Sequence, residues 1–345
     1  MALVPISPDP MAVCAAFGLP EHTGPLTPIA GSAEETWRLD TAAGSFLVKR
    51  PAAQPRRLPD LAIAISVENR AAAAGVPVPR QLRPVTGRGP LADLGDGHGL
   101  VRAYEWLEGG PPADGDDVSA WLGTVLAILH RPEPDGDGGG GGDGGGGEAE
   151  PSQDWYGVQP LAAWLELVER GETGGHDWAP SLRKRLTLIG ELTDRVVAAF
   201  AACGDPVLTH RDLLPRNVLM AGTTGPVLID WDTAGPDCAT LEAAHALFVF
   251  CEGPDGLPRR DRLSKGLAAY HENGGILRPS PFPLARRLGL RLALLAERAR
   301  VALGIQQAPE AARAAAAARV ARDADALPAS SDRLLSLSPL FTSGH

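Results

Sequence analysis

The sequence predicts an α+β protein in two lobes, a small β-rich lobe over residues 1–107 and a larger, mostly helical lobe over residues 108–345. Three observations carry this expectation. Up to Leu107, apolar residues mostly alternate or run in strand-length stretches. Gly109-Gly110-Pro111-Pro112 then breaks the pattern, as a hinge between lobes would. Beyond it apolar residues recur mainly at helical spacing, and past residue 238 the chain reads as almost entirely helical. A length of 345 residues also exceeds what one compact core serves.

Residues 26–49 read as strand, turn, strand, turn, strand. Thr36–Leu39 and Ser45–Lys49 are strands, and Ala42-Ala43-Gly44 turns between them. A helix follows from about Asp60 to Ala74. Gly75 ends it, and Pro77 and Pro79 stop any continuation. A strand pair ends in Leu100–Leu107, and Asp117–His130 has the apolar spacing of a helix. Residues 135–147 contain only glycine and aspartate, so they cannot fill a core and are expected as a flexible surface insertion. With no strand before them and no helix after, they are not a phosphate cradle. A further helix is expected from Leu186 to Cys203.

Composition narrows the function. The chain is 44% hydrophobic, which excludes global disorder. A net charge of −10 argues against nucleic acid as a partner and leaves room for a cationic small molecule. No apolar run reaches membrane-spanning length and the N-terminus lacks a basic region, so a cytoplasmic protein, monomeric or weakly dimeric, is expected. Cys14, Cys203, Cys238 and Cys251 show no metal-binding spacing and are expected as free buried thiols. Only Lys49, Lys184 and Lys265 are lysines, every other basic residue of the Lys/Arg pair being arginine, which singles out a lysine on a strand.

The strongest signal is residues 207–232, VLTHRDLLPRNVLMAGTTGPVLIDWD. It reads as a short strand, a loop, and a hairpin of Asn217–Met220 with Pro226–Trp231. Asn217 opens one hairpin strand and Asp230 lies near the end of the other, so antiparallel pairing sets them side by side. Asp212 lies on the loop feeding the same end. Phosphoryl transfer needs such a set: a carboxylate to orient the acceptor hydroxyl, and hard oxygen donors to hold magnesium against a triphosphate. The run H-R-D-x-x-x-x-N followed by an aspartate is the pattern of kinase catalytic loops, and H-x-D-x-x-x-x-N is expected by chance only roughly 0.005 times in this composition.

His210–Leu219 followed by Ile229-Asp230-Trp231 resembles the aminoglycoside phosphotransferase-like family of small-molecule kinases, whose fold is protein-kinase-like. Leu122-Gly123, Leu126-Ala127, Leu129-His130 and Ala74–Pro79 extend the match to roughly residues 26–245. The resemblance implies ATP and Mg²⁺ as cofactors and a hydroxyl of a small molecule as acceptor. It implies Asp212 as catalytic base, Asn217 and Asp230 as metal ligands, and His210 as a structural residue bonding backbone near Asp230. Asp232 is left open between the metal, the substrate and solvent. Lys49, at the end of its strand, suits the α- and β-phosphates. Its expected partner is Glu68, the sole acid between Asp60 and Asp93, although Glu68 lies about one turn later than in relatives. Gly31 and Ser32 stand where a phosphate-covering loop belongs, and Glu105, Trp106 and Leu107 where backbone would meet adenine. The sequence departs from the family at Leu214, which lacks the usual phosphate-contacting Lys or His, and at Arg211, which replaces a glycine.

The short interval from Asp230 to the next helix argues against a protein kinase. Lys49, Asp212, Asn217 and Asp230 together argue against a non-catalytic pseudokinase. For the acceptor, Asp154, Asp177, Asp237, Glu242, Glu252 and Asp255 would suit an aminoglycoside-type cation of the kind met in antibiotic resistance. An amino alcohol, an amino acid or a macrolide remains open.

Overall fold

The computed structural model describes residues 7–29, 35–51, 58–87, 89–95, 99–131 and 156–341. Two compact units emerge, one from Met1–Trp121 with His210–Gly235, the other from Leu122–Thr209 with Pro236–His345. The fold class is α+β, with an antiparallel sheet near the N-terminus and a helical C-terminal part. The glycine–aspartate run 135–147 lies outside the described residues.

The first unit begins with helix α1, Pro10–Phe17, which was not expected from the sequence although its caps are visible there. Asp9 caps the Met11 amide, Pro10 opens the helix, and Gly18 closes it at φ 62°, a conformation that glycine adopts without penalty. A five-stranded sheet follows in the order β1-β2-β3-β5-β4. Its strands are β1 (Thr27–Pro28), β2 (Glu35–Thr41), β3 (Gly44–Arg50), β4 (Ala92–Asp93) and β5 (Leu100–Glu105). The β2–β3 pair runs from Glu35↔Arg50 to Thr41↔Gly44, with Ala42-Ala43 as its two-residue turn. Val13 and Phe17 of α1 join Trp37, Leu39, Phe46, Val48 and Val101 in one core, each such side chain contributing about 1.5–3 kcal/mol on burial.

Helix α2, Leu58–Ala73, ends as predicted. Gly75 adopts φ 90° and its amide returns to Ala72, while Val76 returns to Ala71. The hairpin of Val218–Met220 and Pro226–Leu228 belongs to the same unit, with Met220↔Pro226 next to its turn and Val218↔Leu228 at its open end. It is anchored there by Leu228 N–H on the Pro77 carbonyl at 2.8 Å and by Met220 N–H on the Gly110 carbonyl at 2.8 Å. Gly109 is required at this crossing, because a β-carbon there would come 2.6 Å from the Met220 carbonyl oxygen.

The second unit is built from most of α3 (Ser119–Leu129), from Leu122 onward, with α4 (Leu161–Thr173), α5 (Ala179–Arg183), α6 (Leu186–Ala201), α7 (Ala239–Cys251), α8 (Arg260–Glu272), α9 (Ala285–Ala302) and α10 (Glu310–Leu337). A two-stranded pairing of Pro206–Thr209 with Gly235–Cys238 leads into α7. Pro328 stands inside α10 and cannot donate to the Ala324 carbonyl one turn back. The Arg185 Nε supplies that bond instead, at 3.1 Å. Among the described residues no helix is long and apolar enough to cross a membrane.

The expectation of four free thiols is corrected. Cys203 and Cys238 form a disulfide across 35 residues, and only Cys14 and Cys251 are free, both buried. The pairing of their flanking strands, which no local pattern reveals, brings the two cysteines together.

Inside this unit Asp237 is fully buried, bonded by the Arg286 guanidinium, the Tyr156 hydroxyl and the Cys238 amide. Glu242 accepts from His130 at 2.8 Å, and the other ring nitrogen of His130 lies 2.9 Å from the Tyr270 hydroxyl. Burial alone would raise the Glu242 carboxyl. The hydrogen bond and charge of His130, with Arg286 and Thr209, outweigh it and hold the group at about 2. A depressed carboxyl stabilises the fold above its ordinary value of 4.5, and that contribution is lost as pH falls toward 2. Glu242→Gln should therefore unfold more easily at pH 7 and show a flatter stability profile between pH 4.5 and 2 in urea titrations. An unchanged acid limb would show that Glu242 carries none of the acid sensitivity.

Candidate active site

The loop from His210 to Gly235 folds around its own backbone. His210 is fully buried; its Nε2 donates to the Ile229 carbonyl at 2.9 Å and its Nδ1 accepts from the Asp212 amide at 3.3 Å. One neutral tautomer satisfies both bonds, so the ring joins the two sides of the loop and is not placed to move a proton. Its ring also stands edge-on to Trp231, with centroids 4.7 Å apart.

The hairpin register predicts the next feature. With Val218 opposite Leu228, Asn217 precedes one strand and Asp230 follows the other, and Ile229 N–H bonds the Asn217 carbonyl at 2.9 Å. The strands stop short of the expected ends, because Asp230 turns to φ 65° and Trp231–Thr233 forms a 3₁₀ turn. Arg211 and Asp230 are the only non-glycine residues with positive φ among the described residues, and both lie in this loop. Arg211 thus keeps the backbone conformation that glycine favours, at φ 68°, and lays its guanidinium over Gly235, which has no side chain to block it.

Asp212 Oδ2 accepts from Asn217 Nδ2 and Arg216 Nη2, each at 2.9 Å. Asn217 Nδ2 also bonds the Asp212 carbonyl at 2.7 Å. The Asn217 amide nitrogen is therefore spent on the loop, and its Oδ1 is left as an acceptor. In the same way Asp212 Oδ1 is the carboxylate oxygen left for a ligand. Asp230 Oδ1 meets Lys49 Nζ at 2.6 Å, and the Asp230 side chain is 46% exposed.

Lys49 is buried on β3, but its pairing differs from the expectation. Glu68 bonds Arg102 Nη1 at 3.3 Å and the Tyr104 hydroxyl at 3.1 Å, not Lys49. The later position of Glu68 on α2 carries it past Lys49 to the neighbouring strand, whose register sets Lys49 opposite Arg102. Burial pushes the Glu68 carboxyl up, against the pull of Arg102 and Tyr104. The Lys49 ammonium pairs instead with Asp230 and Asp232, and Asp232 also pairs with Arg102. Asp232 is thus a buried ion-pair member and not a solvated carboxylate. Arg102 was missed in the sequence, where nothing distinguishes it from any other strand arginine.

At the end of β5 the Glu105 amide bonds the Arg80 carbonyl at 2.9 Å and the Trp106 amide bonds the Ser45 carbonyl at 3.2 Å. Of the three residues expected to meet adenine, only Leu107 keeps an N–H without a backbone partner among the described residues. The Trp106 ring lies under the Arg38 guanidinium at 4.8 Å, and its Nε1 donates to Glu108. Gly31 and Ser32 lie outside the described residues.

The donor set suits a hard cation of the magnesium kind. Asn217 Oδ1 and the exposed Asp230 carboxylate are oxygens, and no cluster of three or more His, Cys, Asp or Glu that would hold a metal by itself occurs among the described residues.

The fold is shared with several solved kinases. A spectinomycin phosphotransferase in complex with ADP and spectinomycin superposes with a TM-score of 0.64 at 14% identity, covering 90% of this chain and 92% of that one. An amicoumacin kinase in complex with AMP-PNP and Ca²⁺ gives 0.60 at 14% identity over 92% and 91%. An aminoglycoside phosphotransferase from Alicyclobacillus acidocaldarius gives 0.56 at 16% over 94% and 96%. No curated protein sequence matches the chain. The sequence does match a family of phosphotransferases across residues 25–276, well over half its length, and that span takes in every residue of the loop and of the Lys49 cluster described above: the chain belongs to the phosphotransferase enzyme family.

Proposed function

We propose that this phosphotransferase moves the γ-phosphoryl group of ATP, with Mg²⁺, to a hydroxyl of a small molecule. The observation that carries the reading is the convergence of Asp212, Asn217, Asp230 and Lys49 in one unit, with one unspent oxygen on Asp212 and one on Asn217. Mg²⁺ bound at Asn217 Oδ1 and Asp230 would neutralise the charge of the triphosphate. Lys49 holds the α- and β-phosphates, and the Leu107 N–H donates to the adenine edge. Asp212 orients the acceptor hydroxyl through Oδ1 and takes its proton as the new oxygen–phosphorus bond forms and ADP leaves. Oδ2 stays with Asn217 and Arg216, so the carboxylate keeps its aim. Nucleotides in complex with the spectinomycin and amicoumacin enzymes, and the Ca²⁺ of the latter, support the use of a nucleotide and a divalent cation.

The acceptor is proposed to be an aminoglycoside-type antibiotic, with an amino alcohol, an amino acid or a macrolide as the alternatives. The acidic residues support a cation less than their number suggests. Asp237 and Glu242 are interior and spent on Arg286, Tyr156 and His130. Glu252 is paired with Arg287, Asp177 and Asp255 are exposed, and Asp154 lies outside the described residues. Turnover of ATP against a panel of these four classes decides among them.

The metal assignment has its own test. Wild-type nucleotide affinity should be at least about tenfold higher in Mg²⁺ than in EDTA, and in Asp230→Ala this difference should vanish, because Asn217 alone offers one neutral oxygen to a hard dication. Calorimetric titration with a non-hydrolysable ATP analogue measures both. A magnesium dependence that survives in Asp230→Ala removes Asp230 from the site.

A further inference from the structure

We propose that Asp232 is the residue that positions Lys49 for the nucleotide, backed by Arg102 and Glu68, so that a relay of three buried side chains replaces a direct contact from a helix glutamate. The inference rests on the phosphate-binding role of Lys49 proposed above.

The sheet register creates the need. Lys49 on β3 stands directly opposite Arg102 on β5, so two cations share one face of adjacent strands. Both are buried, Lys49 at 7% and Arg102 at 1% exposure. Two desolvated like charges at that spacing are unfavourable unless a carboxylate lies between them. Asp232 is that carboxylate, with a side chain only 6% exposed, giving Oδ2 to Lys49 and Oδ1 to Arg102. Glu68, also buried, takes the outer side of Arg102. Lys49, Arg102, Asp232 and Glu68 therefore form a set with no net charge.

Asp230 is the fifth charge and stands apart from this balance. It is the one exposed member, and it meets Lys49 through a single oxygen. When Asp230 turns to a cation, Lys49 keeps its buried partner and swings no further than Asp232 permits. The same reasoning explains Glu68. One turn late on α2, it bonds Arg102 and Tyr104 in place of Lys49, and Arg102 in turn pairs with Asp232. The 3₁₀ turn Trp231–Thr233, against which α2 packs, holds Asp232 at the required depth.

A double-mutant cycle on nucleotide affinity in EDTA tests the relay without any metal or turnover. Lys49→Ala and Asp232→Asn should each weaken ATP binding by about tenfold, and the double variant should be no weaker than Lys49→Ala alone, since an unpositioned lysine is already lost. Asp232→Glu should recover part of the loss. If Asp232→Asn does not fold, Asp232→Asn with Arg102→Gln keeps the buried set neutral and is compared in the same way with and without Lys49→Ala. Equal losses from Lys49→Ala in the presence and absence of Asp232 overturn the proposal, since a residue that only supports the fold gives additive effects. If Lys49→Ala has no effect on the wild-type affinity, the phosphate role of Lys49 fails first, and the relay with it.

Discussion

Asp212→Asn should lower kcat by at least about a hundredfold while leaving the affinity for nucleotide within about threefold of wild type. The size follows from the role proposed for Asp212, orienting and deprotonating the acceptor, a contribution of about a hundredfold to ten-thousandfold. The selectivity follows from geometry. Asn is the same shape as Asp, so it can still accept from Asn217 and Arg216 through one oxygen, and the loop around Asn217 is preserved. What disappears is the second, basic oxygen. Steady-state kinetics with the best acceptor of the panel, beside titration of a non-hydrolysable ATP analogue, separate the two effects. Turnover near the wild-type value would end the assignment of Asp212. A parallel loss of nucleotide affinity would show that the substitution had collapsed the loop instead.

Arg286→Met should cost about 3–5 kcal/mol of stability, because it leaves the Asp237 carboxylate buried without its cation. Met is chosen to keep the volume of the arginine stem, so that the loss reports charge and not a cavity. Burial already pushes the Asp237 carboxyl up, and Arg286 is the main force opposing that rise. Without Arg286 the carboxyl takes up a proton more readily, so the loss should be smallest at low pH and grow as pH rises. Removing both charges, with Asp237→Asn and Arg286→Met, should recover part of the stability, since a buried pair is dispensable when neither partner is left alone. Urea melts at several pH values measure all three variants. Arg286→Met within about 1 kcal/mol of wild type at every pH would show that Asp237 does not depend on this arginine.

Much of the site was readable from the sequence because it is local. Asp212, Asn217 and Asp230 lie within 19 residues, and a hairpin of known register leaves little choice about which ends meet. His210 fell into its structural role for the same reason, since its ring bonds backbone at both sides of one loop. The ends of α2 and β3 were set by Gly75 and by the Ala42-Ala43 turn, where backbone preferences act on single residues.

What tertiary structure decided were the partners of charges. Whether Lys49 meets Glu68 or Asp232 depends on how far α2 runs along the sheet, and one helical turn of displacement exchanges one carboxylate for another. Arg102 has no signature in the sequence, because its importance comes from standing across from a lysine on a strand more than fifty residues away. The acids Asp237 and Glu242 look like solvated surface charges until packing shows them enclosed. Cys203 and Cys238 show no spacing until two strands pair. Sequence by itself determined the backbone turns, the loop and the chemistry of its oxygens, since these depend on near neighbours. Only the tertiary structure decided which buried charges neutralise one another, because a Coulomb interaction in a dry interior is set by distance in space and not along the chain.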